Sequence, residues 1–115
     1  MKYAIQINAS PWDSTWPLHA CQFIKALVGS GHQVVRVFFY HEGVHNAFAQ
    51  PEHSHTPLPD WYSLAADDAI ELIYCSAAAE RRGLLSSTHQ PGFQAGGLGI
   101  WVDGLLQADR SLVFG

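Results

Sequence analysis

The chain has 115 residues, of which 48% are apolar and 14% are charged, and this composition excludes an intrinsically disordered protein. It predicts a single globular domain over residues 1–115, long enough to bury a core without disulfides or metal. Six Lys and Arg against ten Asp and Glu give a net charge of −4, so we expect no direct contact with nucleic acid.

The sequence also bears on membranes and compartment. The apolar run in residues 1–8 is too short for the core of a signal peptide. Residues 83–102 carry no Asp, Glu, Lys or Arg, but five glycines and a proline make them unsuited to a lipid span. We therefore expect a cytoplasmic protein without a membrane contact, in which both cysteines are free thiols.

The first half of the chain predicts two strands around one helix. Residues 3–8 alternate between apolar and polar types, as a half-buried strand does. A helix with Pro17 in its first turn follows and ends at Gly29. Residues 34–40 are mainly β-branched and aromatic, which is typical of a strand covered on both faces. Residues 41–60 show no clear period and predict a long loop.

The second half predicts further alternation of helices and strands. In chain order the pattern indicates a short helix over 58–68, a strand over 71–74, a helix over 76–82 capped by Gly83, a loop through Pro91, a helix over about 95–107 and a last strand over 111–114.

This alternation predicts an α/β three-layer sandwich, in which a mostly parallel sheet has helices on both faces. In such folds the functional crevice lies at the carboxyl ends of the strands. Three segments should meet there, namely residues 9–16, residues 41–46 and Cys75.

Cys75 stands where a strand passes directly into a helix. Backbone N–H groups and the helix dipole at that position favour the thiolate, which is the form that attacks sulfur. The alternative is a small buried residue that fills the junction. Cys21 shares an apolar helix face with Ile24 and Val28, and we interpret it as a core residue.

Cys75 and Arg81 also form a C-x5-R pattern, the spacing of phosphate-binding loops in cysteine phosphatases and arsenate reductases. Such loops use glycine to curve around the anion, whereas residues 76–80 contain none and favour a helix. A helix would place Arg81 about 9 Å along its axis from Cys75. Phosphatase or arsenate reductase activity therefore remains the second hypothesis.

Three motifs over nearly the whole chain resemble those of the DsrE/TusD family of sulfur-relay proteins. They are FFYHEGVHNA at residues 38–47, CSAAAERRG at residues 75–83, and Gly92-Phe93 followed by GLG at residues 97–99. The resemblance implies the three-layer sandwich of that family, which is DsrEFH-like and similar to flavodoxin. It also implies sulfurtransferase activity in an oligomer.

In this family the cysteine that matches Cys75 accepts a sulfane sulfur as a persulfide from a small donor of the TusA type. The resemblance implies transfer to a downstream acceptor protein, in a complex with sister subunits of the same fold or in a homo-oligomer. The expected end is 2-thiolation of the wobble uridine of tRNA, and a DsrE-like role in sulfur oxidation is the alternative.

Persulfide transfer needs neither a metal nor a cofactor, but it needs a thiol that is shielded and still open to a partner. We therefore expect a reachable Cys75, and a thiol sealed in hydrocarbon would contradict this hypothesis. The residues that we expect to shape the site are Trp12, Tyr40, Glu42, Gly43 and Asn46 in the loops, with Ser76 and Arg81 on the following helix.

Two other features of the sequence suggest ligands. His41 and His45 have H-x3-H spacing near His53 and His55, but no further ligand has suitable spacing, so we interpret these histidines as surface residues of the loop. The tryptophans and glycines leave open a noncatalytic cofactor module, for which the argument is fold analogy alone.

Overall fold

The computed structural model describes residues 1–50, 54 and 57–115. The strands are β1 (Lys2–Ile7), β2 (Gln33–Phe39), β3 (Leu72–Cys75), β4 (Phe93–Gly96) and β5 (Arg110–Phe114). The α-helices are α1 (Trp16–Gly29), α2 (Trp61–Asp67), α3 (Ser76–Arg81) and α4 (Leu98–Gln107), and 3₁₀ helices span His41–Ala47 and Ser86–Thr88.

The five strands form one sheet in the order β4-β3-β2-β1-β5, and every neighbouring pair is parallel. Ile7 at the end of β1 pairs with Phe39 on one side and with Phe114 on the other. The carboxyl ends of the strands therefore lie at one edge of the sheet, as the alternation of strands and helices predicts.

Two consecutive residues of β2 show that the sheet is covered on both faces. The Phe38 ring stacks on Trp101 of α4 with 5.9 Å between ring centroids, whereas Phe39 meets Trp61 of α2 edge-on at 5.0 Å. Neighbouring strand residues point to opposite faces, so α4 and α2 lie on opposite sides of the sheet. This arrangement confirms the predicted three-layer α/β sandwich.

Cys21 connects helix α1 to the start of α2. This residue is only 2% exposed, and the thiol donates a weak hydrogen bond to the carbonyl of Asp60, 3.8 Å away. Asp60 caps the start of α2 by accepting the N–H of Ser63. Burial raises the pKa of the Cys21 thiol, which disfavours the reactive thiolate. Cys21 is thus a core residue, as its helical spacing predicts.

The prediction of a helix over 95–107 is wrong at its start, because residues 93–96 form the edge strand β4. Only Phe93 of this strand is buried, so the strand lacks the apolar pattern that would reveal it. Gly96 permits close packing at this edge. A Cβ there would lie 2.6 Å from Ile100 and 2.7 Å from Ile73.

The prediction of an irregular loop over residues 41–60 is also wrong in part. Residues His41–Ala47 form a 3₁₀ helix that packs on the end of β1. Gly43 lies so close to the carbonyl of Ile7 that a Cβ would collide with it, while Val44 is fully buried. The segment begins at His41, whose φ of +49° turns the chain out of β2.

Candidate functional site

Cys75 is the last residue of β3 and the N-cap of α3. Its backbone is extended, with φ −70° and ψ 113°, and its Sγ accepts the N–H of Ala78 at 3.5 Å. The helix begins at once because serine and three alanines follow, and none of these residues requires a loop conformation. The junction therefore places a backbone donor against the sulfur, where charge develops during thiol exchange.

The Cys75 residue is only 3% exposed in the single chain. This burial disagrees with the expectation of an openly reachable thiol. The sulfur nevertheless meets a backbone N–H rather than hydrocarbon alone. Exchange with another protein's cysteine therefore requires neighbouring groups to move.

An ion pair connects α3 to the 3₁₀ helix at residues 41–47. The Arg82 guanidinium donates to Glu42 Oε1 through Nε at 2.9 Å, and its second terminal nitrogen lies 2.8 Å from the same oxygen. Its other terminal nitrogen donates to the carbonyl of Ala78 at 3.0 Å. Ala78 thus donates to Cys75 through its N–H and accepts from Arg82 through its carbonyl.

The electrostatics of this pair follow from its geometry. The hydrogen bond from Arg82 lowers the pKa of the Glu42 carboxyl below its ordinary value of 4.5. His45 Nε2 lies 3.4 Å from the other carboxylate oxygen of Glu42. The Glu42 side chain is 58% exposed, so water screens the pair and its free energy is small.

Asn46 joins the first loop to the 3₁₀ helix. Its amide nitrogen donates to the carbonyl of Ala9 at 3.0 Å and to that of Gly43 at 2.9 Å. Its oxygen accepts from the Trp61 indole at 3.1 Å. This buried amide holds together two of the three segments that the sequence predicts at the sheet edge, while α3 brings the third.

The structure connects the other predicted loop residues less closely to Cys75. Trp12 is 45% exposed, and its backbone N–H donates to the hydroxyl of Ser10. Tyr40 stacks on His41 with ring centroids 4.1 Å apart. Neither ring has a described contact with Cys75, so their part in the site stays a prediction.

The helix after Cys75 bears on the phosphatase hypothesis. Ser76 donates its hydroxyl to the carbonyl of Gly96 at 3.3 Å, and Arg81 is an exposed residue in the last turn of α3. Because residues 76–81 are helical, their N–H groups do not curve around an anion, and Arg81 does not return to Cys75. The arrangement contradicts a phosphate-binding loop.

Sequence reasoning missed two residues beside the thiol. Arg82 rather than Arg81 makes the ion pair, and the spacing of the RRG motif alone does not separate the two. Tyr74 is 1% exposed, yet its hydroxyl has no hydrogen-bond partner in the part of the chain that the structure describes. In the sequence, the only signal for Tyr74 is that an aromatic residue with a polar hydroxyl stands in a buried strand directly before Cys75.

Within residues 1–50, 54 and 57–115, no three His, Cys, Asp or Glu side chains are grouped as a metal site requires. His53 and His55 lie outside these ranges. No helix in the described part of the chain has the length and apolar character needed to cross a membrane.

Comparison with known proteins identifies the family of this chain. The DsrE/DsrF-like family matches residues 1–114. A DsrE protein from Allochromatium vinosum is 36% identical, over 100% of this chain and 99% of its own. The chain belongs to the DsrE/DsrF-like family. A protein named sulfurtransferase TusD from Yersinia pestis (strain Pestoides F) is 35% identical to this family member, over 99% of this chain and 98% of its own.

Two solved structures share the fold of this chain. The ychN protein from E. coli superposes with a TM-score of 0.84 at 19% identity, over 99% of both chains. MTH1491 from Methanobacterium thermoautotrophicum, described as a protein of unknown function, gives 0.66 at 16% identity, over 96% of this chain and 97% of its own. At these identities the likeness shows a shared fold alone.

Proposed function

We propose that this DsrE/DsrF-like protein is a sulfurtransferase that accepts a sulfane sulfur on Cys75 and relays it to another protein. The observation that carries the proposal is the position of Cys75 at the β3–α3 junction, with the N–H of Ala78 facing its sulfur. The relative named sulfurtransferase TusD, 35% identical over nearly the whole chain, supports this activity.

The reaction is two successive exchanges at sulfur. The Cys75 thiolate attacks the outer sulfur of a donor persulfide, the donor's S–S bond breaks, and the donor leaves as a thiolate. Cys75 then carries the persulfide. In the second step an acceptor thiolate attacks that outer sulfur, the new S–S bond breaks, and Cys75 is released as a thiolate. Atoms and electrons balance without an external oxidant or reductant.

The burial of Cys75 sets a condition on this reaction. At 3% exposure the thiol is protected from water and small oxidants, as a persulfide carrier requires, but no partner cysteine can reach it without local movement. The groups that must move to expose the sulfur lie around the N-terminus of α3. Docking of the donor supplies a reason for such movement, since it replaces contacts that the opening breaks.

For the partners, we propose a small donor protein of the TusA type, a downstream acceptor and sister subunits of the same fold or further copies of this chain. The outer face of α4 supports an assembly because it exposes large apolar side chains. Leu98, Val102 and Leu106 are 48%, 50% and 82% exposed. We place the relay in the cytoplasm, where thiols remain reduced.

For the final product, we propose 2-thiolation of the wobble uridine of tRNA. The match to TusD and the FFYHEGVHNA and CSAAAERRG motifs support this route. Deletion of the gene in its host should lower the 2-thiouridine content of total tRNA, measured by mass spectrometry of nucleosides. Unchanged 2-thiouridine together with impaired sulfur oxidation would favour the DsrE-like role instead.

Mass spectrometry of the intact protein tests the central proposal. Incubation with inorganic polysulfide should add sulfur to the chain, and Cys75→Ser should abolish this addition. Cys21→Ser is the matched control and should retain it, because Cys21 is a core residue with a raised pKa. Equal sulfur addition to both variants would show that Cys75 is not the acceptor.

A further inference from the structure

Strand β5 forms an exposed edge of the sheet. It pairs with β1 on one side, and in the part of the chain that the structure describes no strand lies on its other side. Leu112 and Val113 are 36% and 59% exposed although both are apolar. Natural edge strands are commonly protected by lysine or proline, but β5 has neither and carries one charge, on Arg110. An uncovered apolar edge of this kind favours association with another strand.

The backbone of β5 presents a defined set of free hydrogen-bonding groups. The Phe114 carbonyl accepts the N–H of Asn8 at 2.9 Å, so the backbone of Phe114 faces β1. Because backbone groups point to alternate sides along a strand, Ser111 and Val113 direct their N–H and C=O groups away from the sheet. Each residue thus offers one donor and one acceptor, and such a set can pair with an identical copy of itself.

The side chains of β5 continue onto an aromatic surface of α1. Phe114 contacts Trp16 and Phe23, with 6.2 and 5.8 Å between ring centroids. Trp16 and Phe23 are themselves 51% and 37% exposed. Since side chains alternate along a strand, Leu112 and Arg110 lie on the same face of the sheet as Phe114. Exposed aromatic residues beside an open strand edge are typical of a protein interface.

We propose that β5 pairs with β5 of a second copy of this chain, antiparallel and about a twofold axis at Leu112. In this register Ser111 exchanges both of its backbone hydrogen bonds with Val113 of the partner subunit, and the axis repeats this pair. Leu112 lies opposite Leu112 of the partner subunit in the closer, non-hydrogen-bonded type of pair. The two sheets become one sheet that continues across the axis.

Charge favours this occupant and this register. Arg110 is the only charged residue of β5, and the axis at Leu112 places it opposite Phe114 of the partner subunit rather than opposite another arginine. The face of an aromatic ring attracts a guanidinium. Arg110 is exposed and, among the described residues, donates only to the carbonyl of its neighbour Asp109 at 3.2 Å. Its side chain is therefore available for this contact.

The pairing leaves the sulfur site free. Cys75 ends β3, and strands β2 and β1 separate β3 from β5 in the sheet. Because the paired strands run in opposite directions, the two Cys75 thiols lie at opposite ends of the dimer, and each can receive a donor protein. The inference rests on the assembly of further copies that the proposed function includes, and it assigns that assembly a surface and a symmetry.

Sedimentation equilibrium of the full chain tests the dimer, in salt that screens the net charge of −4 on each copy. The interface is small, so we expect a reversible dimer of twice the 12.7 kDa chain mass, with a dissociation constant in the micromolar range. Leu112→Asp should raise this constant at least about tenfold, because it places two carboxylates opposite each other. Leu85→Asp is the matched control, since it adds the same charge at a leucine that is 66% exposed after α3.

Cysteine cross-linking tests the register, in a background that carries Cys21→Ser and Cys75→Ser. Leu112→Cys places the two new thiols in one cross-strand pair, with Cα atoms about 4.5 Å apart, a distance that a disulfide spans. Oxidation with copper phenanthroline should link the two copies. Val113→Cys is the matched control, because its Cα atoms lie about 9 Å apart across the axis and should not link.

A chain that stays monomeric from micromolar to millimolar concentration would overturn the inference and leave the edge to a strand of a different protein. A dimer that survives Leu112→Asp but is lost in Val102→Asp would also overturn it, since the contact would then lie on the outer face of α4. Equal cross-linking at positions 112 and 113 would contradict the register. Sulfur addition to Cys75 from polysulfide is measured separately, so the proposed sulfur transfer and this dimer fail independently.

Discussion

Glu42 and Arg82 lie 40 positions apart in the sequence and meet through two contacts of 2.8 and 2.9 Å. Arg82 also bonds the carbonyl of Ala78, whose N–H faces the sulfur of Cys75. The 3₁₀ helix at residues 41–47 is thereby connected to the turn of α3 that contacts the thiol. Substitutions in this pair should affect both the stability of the fold and the exposure of Cys75.

Glu42→Gln should lower stability in a manner that depends on pH. The folded state lowers the pKa of Glu42 below 4.5, so its contribution is present above pH 4.5 and is lost as the pH falls through the folded-state value. At neutral pH we expect a loss of roughly 0.5 kcal/mol, as for other exposed ion pairs. Urea unfolding at neutral and acidic pH measures the difference, which should vanish in acid.

Arg81→Gln is the matched control for this ion pair, since Arg81 neighbours Arg82 but makes no described contact with Glu42. It should leave the pH dependence of stability intact. Alkylation of Cys75 by iodoacetamide should become severalfold faster in Arg82→Gln than in Arg81→Gln, because only the former loosens α3. Equal alkylation rates would show that the ion pair does not control access to the thiol.

Gly43→Ala should destabilise the protein by at least about 2 kcal/mol, because a Cβ has no room between two backbone segments. It would lie 2.7 Å from the carbonyl carbon of Ile7 and 3.2 Å from the Cα of Asn8. Gly29→Ala is the control, since nothing lies within 4 Å of its Cβ at the end of α1. That change should stabilise the chain by about 0.5 kcal/mol.

Urea unfolding curves of the two glycine variants check this contrast. A Gly43→Ala protein as stable as the parent would mean that residues 41–47 can leave the end of β1 at little free-energy cost. In that case the 3₁₀ helix, rather than α3, would be the element that moves to open the site.

The sequence predicts the fold where local pattern and tertiary environment agree. The alternation at residues 3–8 and the apolar run at residues 34–40 predict the ends of β1 and β2 to within one residue. Both strands are buried as their patterns require. Strand β4 fails this rule. It is an edge strand with only Phe93 buried, and its adjacent glycines are read as part of the following helix.

For the candidate site, the sequence predicts the reactive group but not its surroundings. The motif around Cys75 and the strand-to-helix transition locate the thiol, since both are local properties of residues 71–83. The burial of Cys75 and the ion pair of Arg82 with Glu42 depend on contacts between distant segments. No local pattern encodes which of two adjacent arginines meets a carboxylate forty residues away.

Tyr74→Phe should make the protein more stable, because it removes a buried hydroxyl and leaves the ring in place. The hydroxyl is buried and has no partner among the described residues, so its removal should raise stability by about 1 kcal/mol and the melting temperature by about 4 °C. Burial raises the pKa of Tyr74 above 10.0, so wild-type stability should fall as the pH rises past 10.0. The Tyr74→Phe variant should lose less stability in that range.

Tyr62→Phe is the control for this substitution, because Tyr62 is 58% exposed and its hydroxyl can bond to water. Its melting temperature should match the wild type at neutral pH. A Tyr74→Phe protein less stable than the wild type would show that the hydroxyl is satisfied within the fold.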